Sequence, residues 1–329
     1  MKRLFITGET GFVGRTFQCM ATDMARQHSW QWVPAPLKYD LRDPASLLRA
    51  LREIRPDGVI HLAGQSFVPA SLQDPAHTLQ VNLVGTANLL QALKETGFQG
   101  RFLYVSSGDV YGQVKEDDLP ISETLPTRPQ NPYALSKAAA ETLCLQWGRS
   151  EAWRIVVARP FNHIGPGQRT EFVMPSFARQ IARIRAGLDA PRIAVGEIDV
   201  TRDFLDVRDL ARAYLGLLDE GHDGTSYNVC SGHEVSIRSL LEHLCQLAGV
   251  RPEIVRDPAR LRPADQRRVR GDNRCLREAT GWEAQLPVSQ SLQDILDEQI
   301  RQVSAELATL PGFESSPAAG PTLLRRASS

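Results

Sequence analysis

The sequence has no excess of charge of either sign. Its 38 lysine and arginine residues are matched by 38 aspartate and glutamate residues over 329 positions, so the formal net charge at pH 7 is zero. A nucleic-acid footprint or a membrane-surface patch usually shows as a basic excess. The balance therefore argues against nucleic acid and membranes as partners and favours a small molecule.

Cysteine is scarce and follows no motif. No C-x-x-C pair occurs and the cysteines are widely scattered, so neither a disulfide framework nor a metal site is predicted. A reducing compartment is the simplest interpretation. The five cysteines are Cys19, Cys144, Cys230, Cys245 and Cys275.

Long hydrophobic runs are also missing. The apolar stretch Leu4–Ile6 is too short for the core of a signal peptide, and no run approaches the length of a membrane span. We therefore expect a cytoplasmic protein.

Glycine is concentrated where the chain makes its first turn. Three glycines follow Leu4–Ile6 at intervals of three residues, and a helical pattern begins among them. This order predicts a strand, a tight turn and a helix that cradle a phosphate, because glycine lets backbone N–H groups approach the anion closely; a turn required only for packing is the alternative. No Gly-Lys-Ser/Thr closes the loop, which excludes a Walker-type site. The cofactor-binding residues predicted here are Gly8, Gly11, Phe12, Val13, Gly14 and Arg15.

Strand and helix patterns alternate along the chain. Such alternation predicts an α/β fold in which right-handed crossovers build a doubly wound parallel sheet. The patterns predict helices over 12–27, 44–54, 78–96 and 172–185 and strands over 30–35, 58–64 and 101–106.

The third predicted strand ends in small residues. Leu62, Ala63 and Gly64 leave room for a ligand at the carboxyl edge of a parallel sheet, where clefts open. His61 lies inside the apolar run, and a histidine in that setting is more often a hydrogen-bonded core residue than a catalyst.

The second predicted strand bears on the choice of cofactor. It ends in Val33–Pro36, without the carboxylate that holds the ribose hydroxyls in NAD-selective sheets. Arg15 and Lys38 could neutralise a 2′-phosphate, so the sequence favours NADPH, with NADH possible. The alternative is that both residues are ordinary solvated cations.

Lysine is rare, and one of the five lysines stands four residues after a tyrosine. Tyr133 and Lys137 follow a proline in an alanine-rich helical pattern, so they share one helix face. Chance predicts only about 0.09 such pairs in this composition. A phenol can protonate a developing alkoxide, and a nearby ammonium is expected to lower its pKa, while Ser106 or Ser107 could hydrogen-bond the carbonyl.

Three motifs together resemble one family. The glycine loop, the run Ser106–Gly112 and the Tyr133-x-x-x-Lys137 pair are similar to the extended short-chain dehydrogenase/reductase family over residues 1 to about 300. The resemblance implies Ser107, Tyr133 and Lys137 as catalytic residues. It also implies a Rossmann-like fold with a smaller, interleaved C-terminal substrate domain. Asp40 and Leu41 would flank the adenine, and Leu62, Ala63, Gly64, Tyr133 and Lys137 would line the cofactor.

The resemblance also implies a domain division. A dinucleotide-binding domain would occupy 1–165, with about 196–232 returning to it. The substrate domain would take 166–195 and 233–304, and 305–329 would form a disordered tail rich in proline, serine and alanine.

Sugar-nucleotide-modifying members of the family suggest the substrate residues. The resemblance implies a GDP-linked 4-keto-6-deoxy sugar, although no residue in the sequence separates guanine from uracil or thymine. Two arginine forks suit a diphosphate without net basic charge. The residues implied are Ser107, Gly108, Asp109, Asn162, Phe177, Arg202, Arg262 and Asp265, whereas Arg208 is interpreted as a solvated partner of Asp209.

Several functions stay open at this point. Related 4,6-dehydratases carry Asp-Glu or Ser-Glu after the catalytic Ser/Thr, where this chain has Gly108 and Asp109, so simple 4-keto reduction is favoured. A dehydratase or a 4-epimerase is the alternative, followed by a non-catalytic dinucleotide sensor. The helices near 78–96 and 132–147 carry apolar faces that relatives use to dimerise, so a homodimer is expected.

Overall fold

A computed structural model describes residues 1–151, 153–260 and 266–309. Its strands are β1 (Lys2–Thr7), β2 (Trp30–Trp32), β3 (Gly58–His61), β4 (Arg101–Val105), β5 (Arg154–Pro160), β6 (Asn162–Ile164), β7 (Arg192–Val195), β8 (Thr201–Asp206), β9 (Ser226–Val229), β10 (Glu234–Ser236) and β11 (Glu253–Arg256). Its α-helices are α1 (Phe12–Gln27), α2 (Pro44–Ile54), α3 (Val68–Gln73), α4 (Pro75–Leu79), α5 (Gly85–Glu95), α6 (Pro132–Ser150), α7 (Val173–Arg185), α8 (Val207–Glu220), α9 (Ile237–Ala248), α10 (Arg274–Thr280) and α11 (Val288–Ala308).

The principal sheet is parallel. Within the described residues it contains six strands in the order β2-β1-β3-β4-β5-β9, with Thr7 opposite His61, His61 opposite Tyr104, and Val105 opposite Ala158. The carboxyl ends of β1, β3, β4 and β5 therefore lie at one edge. The predicted α/β fold with a doubly wound parallel sheet is confirmed.

Alternate residues of the strands face two separate cores. Leu4 and Ile6 of β1 pack with α1 and α8, whereas Phe5 packs on the opposite face with α2, α5 and α6. This period of two, with both faces apolar, is why the strands read as continuous hydrophobic runs. Cys144 of α6 lies in the second core and is buried.

Several predicted elements end earlier than expected. The helices predicted at 12–27 and 44–54 are confirmed, but β2 stops at Trp32 and β3 at His61. Pro34 and Pro36 lack the N–H that a sheet ladder needs, so β2 cannot extend through them. The helix predicted over 78–96 is interrupted by a π-helical turn, Gln80–Val84.

His61 is a core residue, as predicted. Its Nδ1 lies 2.7 Å from the Thr7 hydroxyl and its Nε2 lies 3.0 Å from the Thr86 hydroxyl. Burial and, secondarily, the charge of Lys137 lower the pKa of His61 to about 3, so the ring is neutral at pH 7.

The chain divides into two compact units. Unit 1 contains Met1–His163, Asp203–His233 and Val269–Gln285; unit 2 contains Ile164–Arg202, the described part of Glu234–Arg268, and the chain from Leu286 to Thr309. Residues 269–285 thus group with unit 1, whereas the sequence-based division placed them in the substrate domain. Leu276 and Trp282 belong to the apolar core beside α8, and the Trp282 indole donates to the Asp209 carbonyl at 3.0 Å.

Unit 2 is built around helices α7, α9 and α11 and the parallel pair β7 and β11. Ala182 of α7 packs with Val303 and Leu307 of α11, which extends to Ala308. The tail predicted over 305–329 lies outside the described residues from 310 onward. None of the helices in the described ranges is both long and apolar enough to cross a bilayer.

Candidate active site

The glycine loop is held by close backbone contacts. Gly8 has φ +73°, and its carbonyl accepts a hydrogen bond from Gly11 N at 2.9 Å. A Cβ on Gly14 would lie 2.4 Å from the Gly8 carbonyl oxygen, and a Cβ on Gly8 would lie 2.9 Å from Ala63 N. Side chains at Gly8 and Gly14 are therefore excluded, and the loop is set against the end of β3.

The N-terminus of α1, which starts at Phe12, lies at the glycines, and this is the arrangement that suits a dinucleotide pyrophosphate. Arg15 donates to the Thr10 carbonyl at 2.7 Å, and Val13 packs against the core beside β1. The Phe12 ring stacks on His163, with centroids 5.9 Å apart and planes 7° from parallel.

Gly64, after the end of β3, packs closely against Asn82. A Cβ on Gly64 would lie 2.9 Å from Asn82 Oδ1 and 3.8 Å from Lys137 Nζ. The buried Asn82 side chain accepts from Gln65 N at 2.7 Å and donates to the Ser136 hydroxyl at 2.9 Å. Asn82 thus joins the π-helical turn to α6, one residue before Lys137.

Asn82 is absent from the sequence-based predictions. The available sign was an amide inside the apolar run Val81–Val84, and only the fold shows that it faces Gly64 and α6.

Helix α6 positions the predicted tyrosine and lysine on one face. It starts at Pro132, and the Asn131 side chain caps it by accepting from Ala134 N at 2.8 Å. Tyr133 and Lys137 are 9% and 6% exposed. The predicted helix and the shared face are confirmed.

Ser107 comes to Tyr133 from the end of β4. Its Oγ accepts from Asp109 N at 3.1 Å, capping the short 3-10 helix Gly108–Tyr111, and its hydroxyl is hydrogen-bonded to the Tyr133 phenol. The neighbouring Ser106 Oγ is buried and has no hydrogen-bond partner within the described part of the chain. Ser107 is therefore the serine that the structure joins to Tyr133.

The pKa of Tyr133 shifts in the direction opposite to the one expected. Burial raises it, the charge of Asp109 raises it further, and the hydrogen bond from Ser107 offsets part of the increase. The expected lowering by Lys137 is therefore wrong for this structure. The phenol is protonated at pH 7.

Lys137 makes its hydrogen bond elsewhere. Its Nζ donates to the Val105 carbonyl at 2.6 Å and lies 5.1 Å from the centre of the Tyr104 ring. Burial lowers its pKa to about 8, against the opposing influence of Cys144 and Glu141. The ammonium form still dominates at pH 7.

A buried ion pair supports the same helix. Glu141, one turn beyond Lys137, bonds to Arg159 of β5 at 2.5 Å, and both side chains are below 10% exposed. Arg159 also donates to the Tyr111 hydroxyl at 2.8 Å, which donates to Asn228 Oδ1 at 2.7 Å. Sequence reasoning did not identify this network, because its members are scattered along the chain.

The residues predicted to flank the adenine lie after β2. Asp40 is exposed, and the Arg42 guanidinium lowers its pKa to about 2. Leu41 is buried in the core beside α2, while Leu62 and Ala63 are partly buried. These positions, with the glycine cradle, fit a dinucleotide; the described residues contain no group of acids, cysteines and histidines suited to a metal.

The predicted substrate residues fall in both units. In unit 1, Gly108 faces the Phe161 ring, where a Cβ would lie 3.2 Å from the nearest ring carbon, and Asp109 and Asn162 are exposed. In unit 2, Phe177 is buried in α7, and Arg202 NH1 donates to the carbonyls of Thr201 and Gln266, each at 2.8 Å. Arg262 and Asp265 lie outside the described residues.

Arg208 has a more definite role than the solvated partner of Asp209 that the sequence suggested. Its guanidinium pairs with the buried Asp206 carboxylate at 2.8 Å, whereas Asp209 pairs with Arg212. Asp206 caps α8, so this pair belongs to the start of that helix.

Known proteins place this geometry in a family. The family model for GDP-mannose 4,6 dehydratase matches residues 23–295. The chain belongs to that family of extended short-chain dehydrogenases/reductases. The resemblance stated from the motifs is thereby confirmed, and the chain is an enzyme of this family.

Individual members of the family differ in their similarity to this chain. GDP-6-deoxy-D-mannose reductase of Pseudomonas aeruginosa is 57% identical over 306 residues, covering 93% of this chain and 99% of that protein. A solved structure of RMD from Pseudomonas aeruginosa complexed with NADPH has a TM-score of 0.88 at 56% identity, covering 92% and 100% of the two chains. GDP-mannose 4,6-dehydratase of Yersinia enterocolitica is 27% identical, covering 84% and 82%.

Proposed function

We propose that this enzyme reduces the 4-keto group of GDP-4-keto-6-deoxy-D-mannose to give GDP-D-rhamnose. The observation that carries the proposal is a buried Tyr133 bonded to Ser107, one helical turn before Lys137, in a chain 57% identical to a GDP-6-deoxy-D-mannose reductase. The choice of guanine as the nucleobase, and therefore of GDP, rests on that relative.

The three proposed catalytic residues have different roles in the reduction. When bound, the reduced nicotinamide supplies a hydride to the carbonyl carbon. Ser107 orients the carbonyl by hydrogen bonding, and Tyr133 gives its phenolic proton to the oxygen, which becomes the product hydroxyl. The phenolate that remains is stabilised by the Ser107 O–H and regains its proton from solvent, while Lys137 would hold the cofactor ribose.

NADPH is the favoured cofactor in this proposal, and NADH is possible. The RMD structure at 56% identity is complexed with NADPH, and Arg15 and the exposed Lys38 are cations near the glycine loop and after β2. Gly8, Gly11, Gly14 and Gly64 would leave room for the dinucleotide, while Lys137 would reach its ribose.

The sugar nucleotide would be held by the residues that the family resemblance implies. We propose roles for Gly108, Asp109 and Asn162 toward the sugar and its first phosphate, for Phe177 toward the base, and for Arg202, Arg262 and Asp265 toward the diphosphate and ribose. The support is the family membership and the residue types, since guanidinium forks match phosphate oxygens.

A 4,6-dehydratase is the second candidate, favoured by the name of the matching family model. Asp109 is an exposed carboxylate close enough to raise the pKa of Tyr133, so an acid does stand beside the phenol. Elimination of water would also require a residue to deliver a proton to the leaving hydroxyl, and Gly108 has no side chain for that step.

One assay separates these functions. NADPH oxidation is measured with 4-keto-6-deoxy sugars linked to GDP, UDP or dTDP, and the series is repeated with NADH. We expect steady oxidation with the GDP-linked sugar and a product identified as GDP-D-rhamnose by NMR. Conversion of GDP-mannose without net cofactor consumption would instead establish the dehydratase, and cofactor binding without any turnover would indicate a sensor.

We also propose that the enzyme is a cytoplasmic homodimer. The support for the dimer is a set of exposed leucine and valine side chains on neighbouring elements of unit 1: Leu72 of α3, Val84 of the π-helical turn and Leu135 of α6. The free cysteines are consistent with a reducing compartment.

A further inference from the structure

Glu9 is the residue directly after the first glycine of the loop. Its backbone position is constrained, because its carbonyl accepts from the Gln18 side chain at 3.0 Å and a Cβ on Gly14 would lie 2.6 Å from Glu9 Cα. The loop therefore fixes the backbone position of Glu9.

The side chain of Glu9 extends toward the residues that follow β2. The backbone N–H of Ala35 hydrogen-bonds to the Glu9 carboxylate. Tyr39 lies close enough that burial and, in part, the charge of Glu9 raise the pKa of its hydroxyl to about 12, and that hydroxyl also contacts the Gly8 backbone. The Glu9 carboxylate, which belongs to the glycine loop, thus lies beside the residues that follow β2.

One oxygen of this carboxylate lacks a hydrogen-bond donor in the described part of the chain. Glu9 Oε2 is buried, and no donor in the described chain hydrogen-bonds to it. Burial raises the pKa of Glu9, as expected for a carboxylate that is desolvated on one side. A buried acceptor without a donor is costly, so a ligand hydroxyl at this place would be favourable.

The end of β2 is where parallel sheets of this type recognise the adenosine ribose. An acidic residue there accepts hydrogen bonds from the ribose hydroxyls, and a phosphate at the 2′ position would meet its negative charge. The segment that follows β2, Val33–Pro36, offers no carboxylate. Glu9 is placed to serve instead, from the glycine loop.

We propose that Glu9 discriminates between the two possible 2′ substituents of the adenosine ribose. Its carboxylate accepts a hydrogen bond from a 2′-hydroxyl and repels a 2′-phosphate. The inference rests on the proposed use of a nicotinamide dinucleotide and adds a selectivity residue to it. Arg15 and Lys38 attract the phosphate while Glu9 repels it, so this chain has a narrow preference between NADPH and NADH. A neutral residue at position 9 makes the enzyme strongly NADPH-selective.

Direct binding tests the proposal without turnover. Dissociation constants for NADPH and NADH are measured by calorimetry for the wild type, Glu9→Gln and Glu9→Ala. The matched control is Glu95→Gln, which removes one exposed negative charge at the end of α5. We expect both Glu9 variants to bind NADPH about tenfold more tightly and NADH several-fold more weakly, with no change in the control.

Fragments locate the effect at the ribose. Adenosine 2′,5′-bisphosphate and 5′-AMP differ only in the 2′ substituent, so their affinities for wild type and Glu9→Gln should diverge in the same direction as those of the dinucleotides. Circular dichroism melts of each variant verify folding.

The outcomes separate the two proposals. If the NADPH to NADH affinity ratio is the same in wild type and both Glu9 variants, the role of Glu9 is wrong while the proposed function stands. If the wild type binds neither dinucleotide, the proposed function and this inference both fail.

Discussion

At the scale of single residues, the protonation state of Tyr133 decides what the site can do. A general acid must carry its proton when the substrate binds, and burial together with Asp109 raises the pKa of Tyr133 so that the phenol stays neutral at pH 7. The cost is a weaker acid, and the hydrogen bond from Ser107 offsets part of that cost by stabilising the phenolate as it forms.

Removal of the Tyr133 hydroxyl tests this role. We expect Tyr133→Phe to lower kcat at least about a hundredfold, because the alkoxide then has no positioned proton donor. The dissociation constant of NADPH, measured by fluorescence titration, should change little, since Phe keeps the ring. Turnover equal to wild type would contradict the mechanism.

Lys137 gives a prediction about pH. Its pKa of about 8 means that the ammonium is present below pH 8 and is lost above it. We expect kcat/KM for NADPH to be level from pH 6 to 7.5 and to fall above pH 8, since kcat/KM reports groups of the free enzyme. A profile level to pH 10 would show that this charge is not required.

The proximity of the three proposed catalytic residues could be predicted from sequence because the pattern that joins them is local. Tyr133 and Lys137 are four residues apart on one helix, and Ser107 ends a strand, so spacing alone brings them to the same edge. Asn82 and Arg159 could not be found this way. Asn82 bonds Ser136 across 54 positions, and Arg159 meets Glu141 only through the packing of β5 on α6.

At the scale of elements, the ion pair between Glu141 and Arg159 joins α6 to β5. Both charges are buried, so each depends on the other and on the hydroxyls of Tyr111 and Ser226 for hydrogen bonds. Removal of one partner leaves the other charge buried and unpaired, which is far more costly than replacement of both by apolar groups.

A double-mutant cycle measures this dependence. We expect Glu141→Leu and Arg159→Met each to lower the free energy of unfolding by about 3–5 kcal/mol, and the double variant to cost less than either single variant. Denaturant unfolding followed by circular dichroism provides the values. Additive losses in the double variant would show that the two side chains act independently.

At the scale of the whole molecule, the sheet was predictable and the grouping of its segments was less so. Alternating strand and helix patterns, with apolar strands of the kind buried on both faces, predict a parallel sheet. The membership of 269–285 in unit 1 depends on Leu276 and Trp282 packing beside α8, which no local pattern encodes.

The homodimer is a prediction at this scale. Leu135 is 49% exposed on the outer side of the catalytic helix α6, with Leu72 and Val84 exposed on neighbouring elements. We expect Leu135→Asp to convert a dimer into a monomer by light scattering, because an unpaired carboxylate would be buried in the contact. The conservative control, Leu135→Met, should stay dimeric. A wild-type protein that is monomeric at working concentration would contradict the proposed homodimer.

Because the pKa of Tyr133 is raised, the rates of the two directions of the reaction also depend differently on pH. Oxidation of the alcohol must begin from the phenolate, whose population below pH 8 is small and grows about tenfold with each added pH unit, whereas carbonyl reduction begins from the neutral phenol and is insensitive over that interval. Between pH 6 and 8, the rate of alcohol oxidation should therefore rise with pH while the rate of carbonyl reduction stays level.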